Sequence, residues 1–178
     1  MKKFTKYILF ISLGLLCSCS DYLDIVPDNV TTLDIVFNNK NTAQRYLANC
    51  YHFVPDHGSV KRIPGMGAGH ECWFYTDKDS YFDNEVSFYI ARGLQNTNAP
   101  YANYWDGEGG SKLPMFRAIR ECNIFLSYVR DQHKVNDLTD SERKRWIAEV
   151  NVLKAYYHFF LFEHYGPIPI VDEALPVS

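Results

Sequence analysis

Between Thr139 and Pro167 the sequence spells out one long helix together with its start and its stop. Thr139-Asp-Ser-Glu142 matches a capping box, in which the Thr hydroxyl takes one orphan amide of the first turn and the Glu reaches back to another. Trp146, Val150, Leu153, Tyr157, Phe160 and His164 then recur at three- and four-residue steps, the period of one helical face. Gly166-Pro167 ends the run, the glycine as a cap and the proline as a breaker. About 26 residues rising 1.5 Å each make a rod of roughly 39 Å. Rings stand on several sides of it (Trp146, Tyr156, Tyr157, Phe159, Phe160, Phe162, Tyr165), so it must be covered on several sides. A chain built around such a rod is mostly α.

Two further helices are predicted. Pro114 stands at the expected first turn, and Phe116, Ile119, Cys122, Leu126 and Val129 carry an apolar line to about Gln132. A connection of about six residues then makes this helix and the rod an antiparallel hairpin. Upstream, Asn41-Thr42 open an amphipathic stretch from Ala43 to Val54, with Tyr46, Leu47, Cys50 and Tyr51 in the same line. Pro55 to Gly110 reads differently. It holds eight of the ten glycines and strings Trp73, Phe74, Tyr75, Tyr81, Phe82, Phe88, Tyr89, Tyr101, Tyr104 and Trp105 between polar residues. A segment this rich in turn formers is expected to be irregular, with a short helix or strand around Ser87 to Leu94, and long irregular segments are often functional.

The chain has 178 residues, enough for one domain of ordinary size. Aromatic content is the outlier, at 16%. A single small core seldom uses so many rings, so some are expected to face a ligand or a partner. Removing Lys2, Lys3 and Lys6 at the N-terminus leaves 15 basic side chains against 21 acidic ones. With no basic stripe interleaved with aromatics, phosphate-driven binding of nucleic acid has little to work with.

Those lysines belong to an address. A basic start is followed by the ten-residue apolar run Tyr7 to Leu16, too short for a membrane span of about 20 residues and suited to a signal-peptide core. The run ends in Leu16-Cys17-Ser18-Cys19. A small residue precedes Cys19 and a Leu stands three before it, a pattern that resembles the bacterial lipobox, while Leu16 is too large to serve Cys17 in the same way. Residues 1–18 are then a lipoprotein signal peptide and Cys19 the acylated N-terminus, the competing assignment being a signal peptide cut by the ordinary peptidase. Acyl chains contribute roughly 0.8 kcal/mol per buried methylene, so two or three hold a protein on a bilayer without crossing it. Residues 19–40, with their acids, Pro27 and short apolar pieces, are an extended lead-in to a helical region over 41–178. Cys50, Cys72 and Cys122 remain, an odd number that allows one bridge and no framework. Cys50 and Cys122 fall on apolar helix faces and suit small buried hydrophobes.

Chemical motifs are few. Gly65-Met-Gly-Ala-Gly69 lacks the third glycine of a nucleotide loop, since position 70 is His70. His70-Glu-Cys72 are neighbours in sequence and cannot all reach one tetrahedral ion, and His158 and His164 are six apart on one helix, a spacing that does not suit a shared zinc. Asp77, Asp79 and Asp83 read as solvated loop charges, and no nucleophile signature is present. Neither a metal nor another cofactor is expected. What remains is the aromatic loop. Sugars present apolar C–H faces rimmed by hydroxyls, and a ring beside an amide, carboxylate or guanidinium suits both. Trp73, Tyr75, Tyr81 and Trp105, with Asp77, Arg92 and Asn103, are the candidate ligand-binding residues, the alternative being that these rings pin the loop to the helices.

Several blocks together resemble one family. Cys19 with SDYLDIVPDN behind it, Ala91-Arg-Gly-Leu94 through Tyr101-Ala-Asn-Tyr-Trp105, Phe116-Arg-Ala-Ile-Arg-Glu-Cys-Asn123, and Ala148-Glu-Val-Asn-Val-Leu-Lys-Ala-Tyr-Tyr-His-Phe-Phe160 running into Tyr165-Gly-Pro-Ile-Pro-Ile170 are similar to the N-terminal region of SusD/RagB-type proteins, nutrient-binding outer-membrane lipoproteins of Bacteroidota. The resemblance implies a tetratricopeptide-like helical scaffold with irregular loops that build the ligand surface. Ala155, Phe159 and Pro167 stand at the spacing of the second half of such a repeat. It further implies a non-enzymatic, lipid-anchored protein at the cell surface that binds oligosaccharides and works with a TonB-dependent, SusC-like transporter. Family members run to several hundred residues, so this chain corresponds to about the first third. The alternative function is a transporter-associating scaffold that touches no sugar.

Overall fold

A computed structural model describes residues 32–59, 63–65, 67–70, 86–98, 100–108 and 112–174. From Leu33 onward the described residues belong to one compact unit. Among the described residues every regular element is a helix: α1 (Leu33–Val36), α2 (Lys40–Tyr51), α3 (Val86–Ala91), α4 (Met115–Arg130) and α5 (Asp140–Tyr165).

The α5 helix has the expected bounds. Thr139 and Glu142 form the reciprocal capping box, and Gly166 closes the other end with its N–H on the Phe162 carbonyl at 2.8 Å. Gly166 sits at φ 76°, a backbone conformation that glycine adopts without strain. Trp146, Val150, Leu153, Tyr157 and Phe160 are all buried and pack chiefly against α4. His164, the last residue of the expected line, is exposed and lays its ring 4.7 Å from that of Tyr104.

The other ends differ from the sequence reading, each for a local reason. The α4 helix stops at Arg130 because Asp131 turns extended and its carboxylate accepts the His133 N–H at 2.9 Å, a side-chain bond that competes with helix continuation. At the other end Pro114 is the extended N-cap rather than a first-turn residue, and the Tyr104 carbonyl accepts the Met115 N–H at 2.9 Å. The α2 helix begins one residue before Asn41 because the Asn39 side chain caps it through the Thr42 N–H. It ends at Tyr51, which leaves Val54 outside and exposed. The lead-in is not extended throughout. Its residues 33–36 form α1, and Phe37 just after it is fully buried, stacked on Tyr128 at 4.5 Å and edge-on to Phe125 at 5.9 Å.

Arg143 fastens the α4–α5 hairpin. Its guanidinium is buried and donates to the carbonyls of Val129, Asp131, Lys134 and Val135 at 2.6–3.1 Å. A cation at the C-terminal end of α4 is favoured by the helix dipole as well as by charge-assisted hydrogen bonds. Lys40 ties α2 to the same corner, its N–H on Asp137 and its ammonium on Glu142. After α5 the chain folds back on the hairpin. His158 donates from Nδ1 to the Lys154 carbonyl and accepts the Val171 N–H at Nε2, while the Asn123 amide donates to the Val171 carbonyl.

Cys50 and Cys122 are both buried and free. Tyr157 donates its hydroxyl to the Cys50 carbonyl at 2.5 Å, and burial pushes the Tyr157 phenol well above its ordinary value. Cys72 lies outside the described residues, as do Cys19 and the signal segment.

Candidate functional site

Gly93, at φ 71°, ends α3, and residues 94–98 and 100–108 follow without regular secondary structure. Side chains satisfy the backbone there. Gln95 Oε1 accepts the N–H groups of Tyr101 and Ala102 at 2.8 and 3.2 Å. The Asn96 carbonyl oxygen of the side chain accepts from Asn98, that of Asn103 from Trp105, and Asp106 from Glu108, at 3.1, 3.1 and 2.9 Å. Each of these last three bonds spans two residues, the Asx-turn pattern that lets a short polar side chain stand in for a backbone partner. Asp106 also accepts the Asn103 amide at 2.5 Å.

Two aromatic residues root this loop in the helices. Tyr104 is buried against Phe160 and His164, with ring centroids at 5.0 and 4.7 Å. Tyr165, on the last turn of α5, accepts the Tyr104 N–H at 2.8 Å and donates to the Ala102 carbonyl at 3.3 Å. Burial pushes the Tyr165 phenol up, and the backbone N–H groups of Tyr104 and Trp105 partly offset that rise. Gly107 completes the frame at φ 80°, where a Cβ would stand 2.7 Å from the Pro114 ring.

Between these supports lies an open hollow of about 940 Å³. Trp105 is its largest lining ring and is 44% exposed. The indole is held on two sides, tilted on Phe116 at 4.5 Å and edge-on to Tyr165 at 5.8 Å. Tyr101 also lines the hollow and stacks nearly parallel on Tyr89 at 4.0 Å. Around these rings stand the amides of Gln95, Asn96, Asn98 and Asn103 and the carboxylates of Asp106 and Glu108. A held apolar face bordered by hydrogen-bonding groups is the arrangement that recognises a ring with C–H faces and hydroxyl edges.

Of the residues expected from the sequence, Asn103 and Trp105 come together here. Arg92 is exposed just past α3 and is not among the described lining residues. Trp73, Tyr75, Asp77 and Tyr81 lie outside the described residues. Among the rings of this segment, Phe88 and Tyr104 belong to the core while Trp105 is half in solvent. Gln95, Tyr101, Asp106 and Tyr165 were not singled out by sequence reasoning. The run Gln95-Asn-Thr-Asn98 followed by Asn103 and Asp106 was the available signal, because such density of Asx residues marks a loop closed by its own side chains.

A second, smaller feature lies at the C-terminal end of α5. Phe159, Phe162, Pro167, Ile168 and Ile170 with His158 line an apolar groove of about 350 Å³, and Phe159, Phe162 and Ile170 are well exposed. Among the described residues no three His, Cys, Asp or Glu side chains are grouped to hold a metal ion, and no helix is long and apolar enough to cross a membrane.

A family model for SusD-like proteins, described as starch-binding associating with outer membrane, matches residues 21–176. No curated protein and no solved structure matches the chain significantly.

Proposed function

The chain belongs to the SusD-like family, and on that premise we propose that it is a non-enzymatic glycan-binding lipoprotein of the outer membrane. In this reading Cys19 carries the lipid, the protein faces the cell exterior, and it delivers oligosaccharides to a TonB-dependent, SusC-like transporter for nutrient uptake. The observation that carries the sugar-binding role is the hollow at residues 95–108, where the half-exposed Trp105 indole stands among amides and carboxylates. Trp105 stacks on a sugar face, and Asn103 with its neighbours meets the hydroxyls. Trp73, Tyr75, Asp77, Tyr81 and Arg92 are proposed to extend this surface. Titration calorimetry with α-gluco-oligosaccharides tests the role. Trp105→Ala is expected to weaken binding by roughly 1–3 kcal/mol, by analogy with base stacking on aromatic rings, with little change in melting temperature. Normal binding by that variant would move the site elsewhere. Mass spectrometry of membrane fractions tests the anchor, since Cys19→Ala should release the protein.

A second reading, a scaffold that docks on a transporter and touches no sugar, is favoured by the groove formed around Phe159, Phe162 and Ile170. Exposed apolar patches of this kind mark interaction sites. Absence of oligosaccharide binding together with retained co-purification of a transporter would select it.

A further inference from the structure

We infer that Cys50 and Cys122 are a disulfide site, oxidised while the chain folds in the cell envelope, and that the bond clamps α2 to α4. The inference is independent of the glycan-binding reading. It needs only the outer-membrane association of the family, since a protein bound for that membrane passes through a compartment where thiols are oxidised. Two observations carry it. The first is placement. Tyr46 and Asn49 of α2 both donate to the Glu121 carboxylate of α4, at 2.5 and 3.5 Å, which brings the next residues, Cys50 and Cys122, to the same level of the two helices. Their thiols are in hydrogen-bond contact.

The second is seclusion. Both cysteines are fully buried, and Tyr157 reaches them from α5 with its hydroxyl on the Cys50 carbonyl. The contact with Cys122 and then burial push the Cys50 thiol well above its ordinary value, and only a thiolate attacks a disulfide. The bond therefore forms before α5 packs over the pair. In the open chain one thiolate of the pair attacks the disulfide of an envelope thiol oxidase, giving a mixed disulfide and releasing one oxidase thiolate. The other thiolate then attacks the bonded cysteine sulfur, closes the Cys50–Cys122 bond and expels the second oxidase thiolate. The two thiol protons end on the oxidase, which gains the two electrons that the pair loses. The structure holds both thiols reduced, the state that this step consumes. Closure ties a loop of about 70 residues that contains the whole hollow, and so restricts the unfolded chain.

The test takes the full chain from the outer membrane of its own cell, quenches it in acid, alkylates free thiols in denaturant and maps tryptic peptides without reduction. Tyr46–Lys61 is expected joined to Glu121–Arg130, lighter than the two separate thiol peptides by two hydrogen atoms. Alkylation of both cysteines, or a bond from either to Cys72, overturns the inference. Urea unfolding reads the clamp. A phosphine reductant should leave the bond intact in the folded protein and cut it once urea exposes it, lowering the midpoint by about 1–2 M. The variant carrying Cys50→Ala and Cys122→Ala, with the parent's helical circular dichroism, should keep one midpoint with or without reductant. A parent midpoint that reductant does not move, or one that moves equally in the double variant, overturns the inference as well.

Discussion

The α4–α5 hairpin and the loop over residues 94–108 reach order by opposite means. In the hairpin the backbone satisfies itself and side chains are free to pack, so Ile119, Cys122, Phe125, Val150, Tyr157 and Leu161 all reach full burial. In the loop the backbone is satisfied by side chains, through Gln95, Asn96, Asn103, Asp106 and Tyr165. Amides and carboxylates therefore stay at the surface with part of their hydrogen-bonding capacity directed outward. The difference teaches where a binding hollow can form: a helix face presents mostly side-chain ends at fixed spacing, whereas a loop closed by its own polar groups presents concave surface and mixed chemistry. The two regions also depend on each other, since Tyr104 fills the core beside α5 and its carbonyl caps the start of α4.

The strongest way to break the comparison is to damage packing alone. Leu153→Ala, on the covered side of α5, is expected to cost about 2–5 kcal/mol by urea unfolding. Val152→Ala, next to it and 69% exposed, should fall within about 0.5 kcal/mol of the parent. Equal losses would mean that the covered and uncovered faces of α5 are misassigned.

Arg143→Ala comes next. It leaves buried carbonyls at the α4–α5 corner without donors and is expected to cost about 3 kcal/mol. Arg143→Lys should recover only part of this, because an ammonium cannot reproduce a fork that serves four carbonyls. Full rescue by Lys would show that charge rather than geometry fastens the corner.

Gly107→Ala aims at the loop. Its backbone conformation and the 2.7 Å approach to Pro114 should cost about 1–3 kcal/mol, expressed as a changed Trp105 fluorescence and lost glycan binding with helical circular dichroism preserved. A uniform loss of helix instead would merge the two regions into one cooperative unit.

The smallest effect is expected from acid. Hydrogen bonds from Lys40 and then Thr139 hold the Glu142 carboxyl down to about 2, against an ordinary value of 4.5. Because the folded value is the lower one, this contribution is present above about pH 4.5 and is lost as pH falls toward 2. Melting temperatures of the parent and of Glu142→Gln should therefore converge across that window. Parallel curves would remove Glu142 from the corner's account.

Local chemistry alone determined the rod. Thr139, Glu142 and Gly166 act on backbone within four residues of themselves, so a capping box and a glycine stop are legible in the linear chain and α5 has the bounds they imply. The apolar lines of α4 and α5 were legible for the same reason, the helical period being a property of neighbours. What tertiary structure decided lies between residues far apart in sequence. Phe37 leaves the lead-in for the core beside Phe125 and Tyr128, and Arg143 turns from a charge in the first turns of a helix into the clasp of a corner. Tyr165, in sequence one more ring on the rod, becomes the support of a loop through a bond to Tyr104, 61 residues earlier. Trp105 and Asn103 were recognisable as sugar-compatible residue types. That they share one hollow with Gln95, Asp106 and Glu108 follows from hydrogen bonds across turns and from packing on α4 and α5. No periodicity records such contacts, because they exist only once the helices have brought their partners within reach.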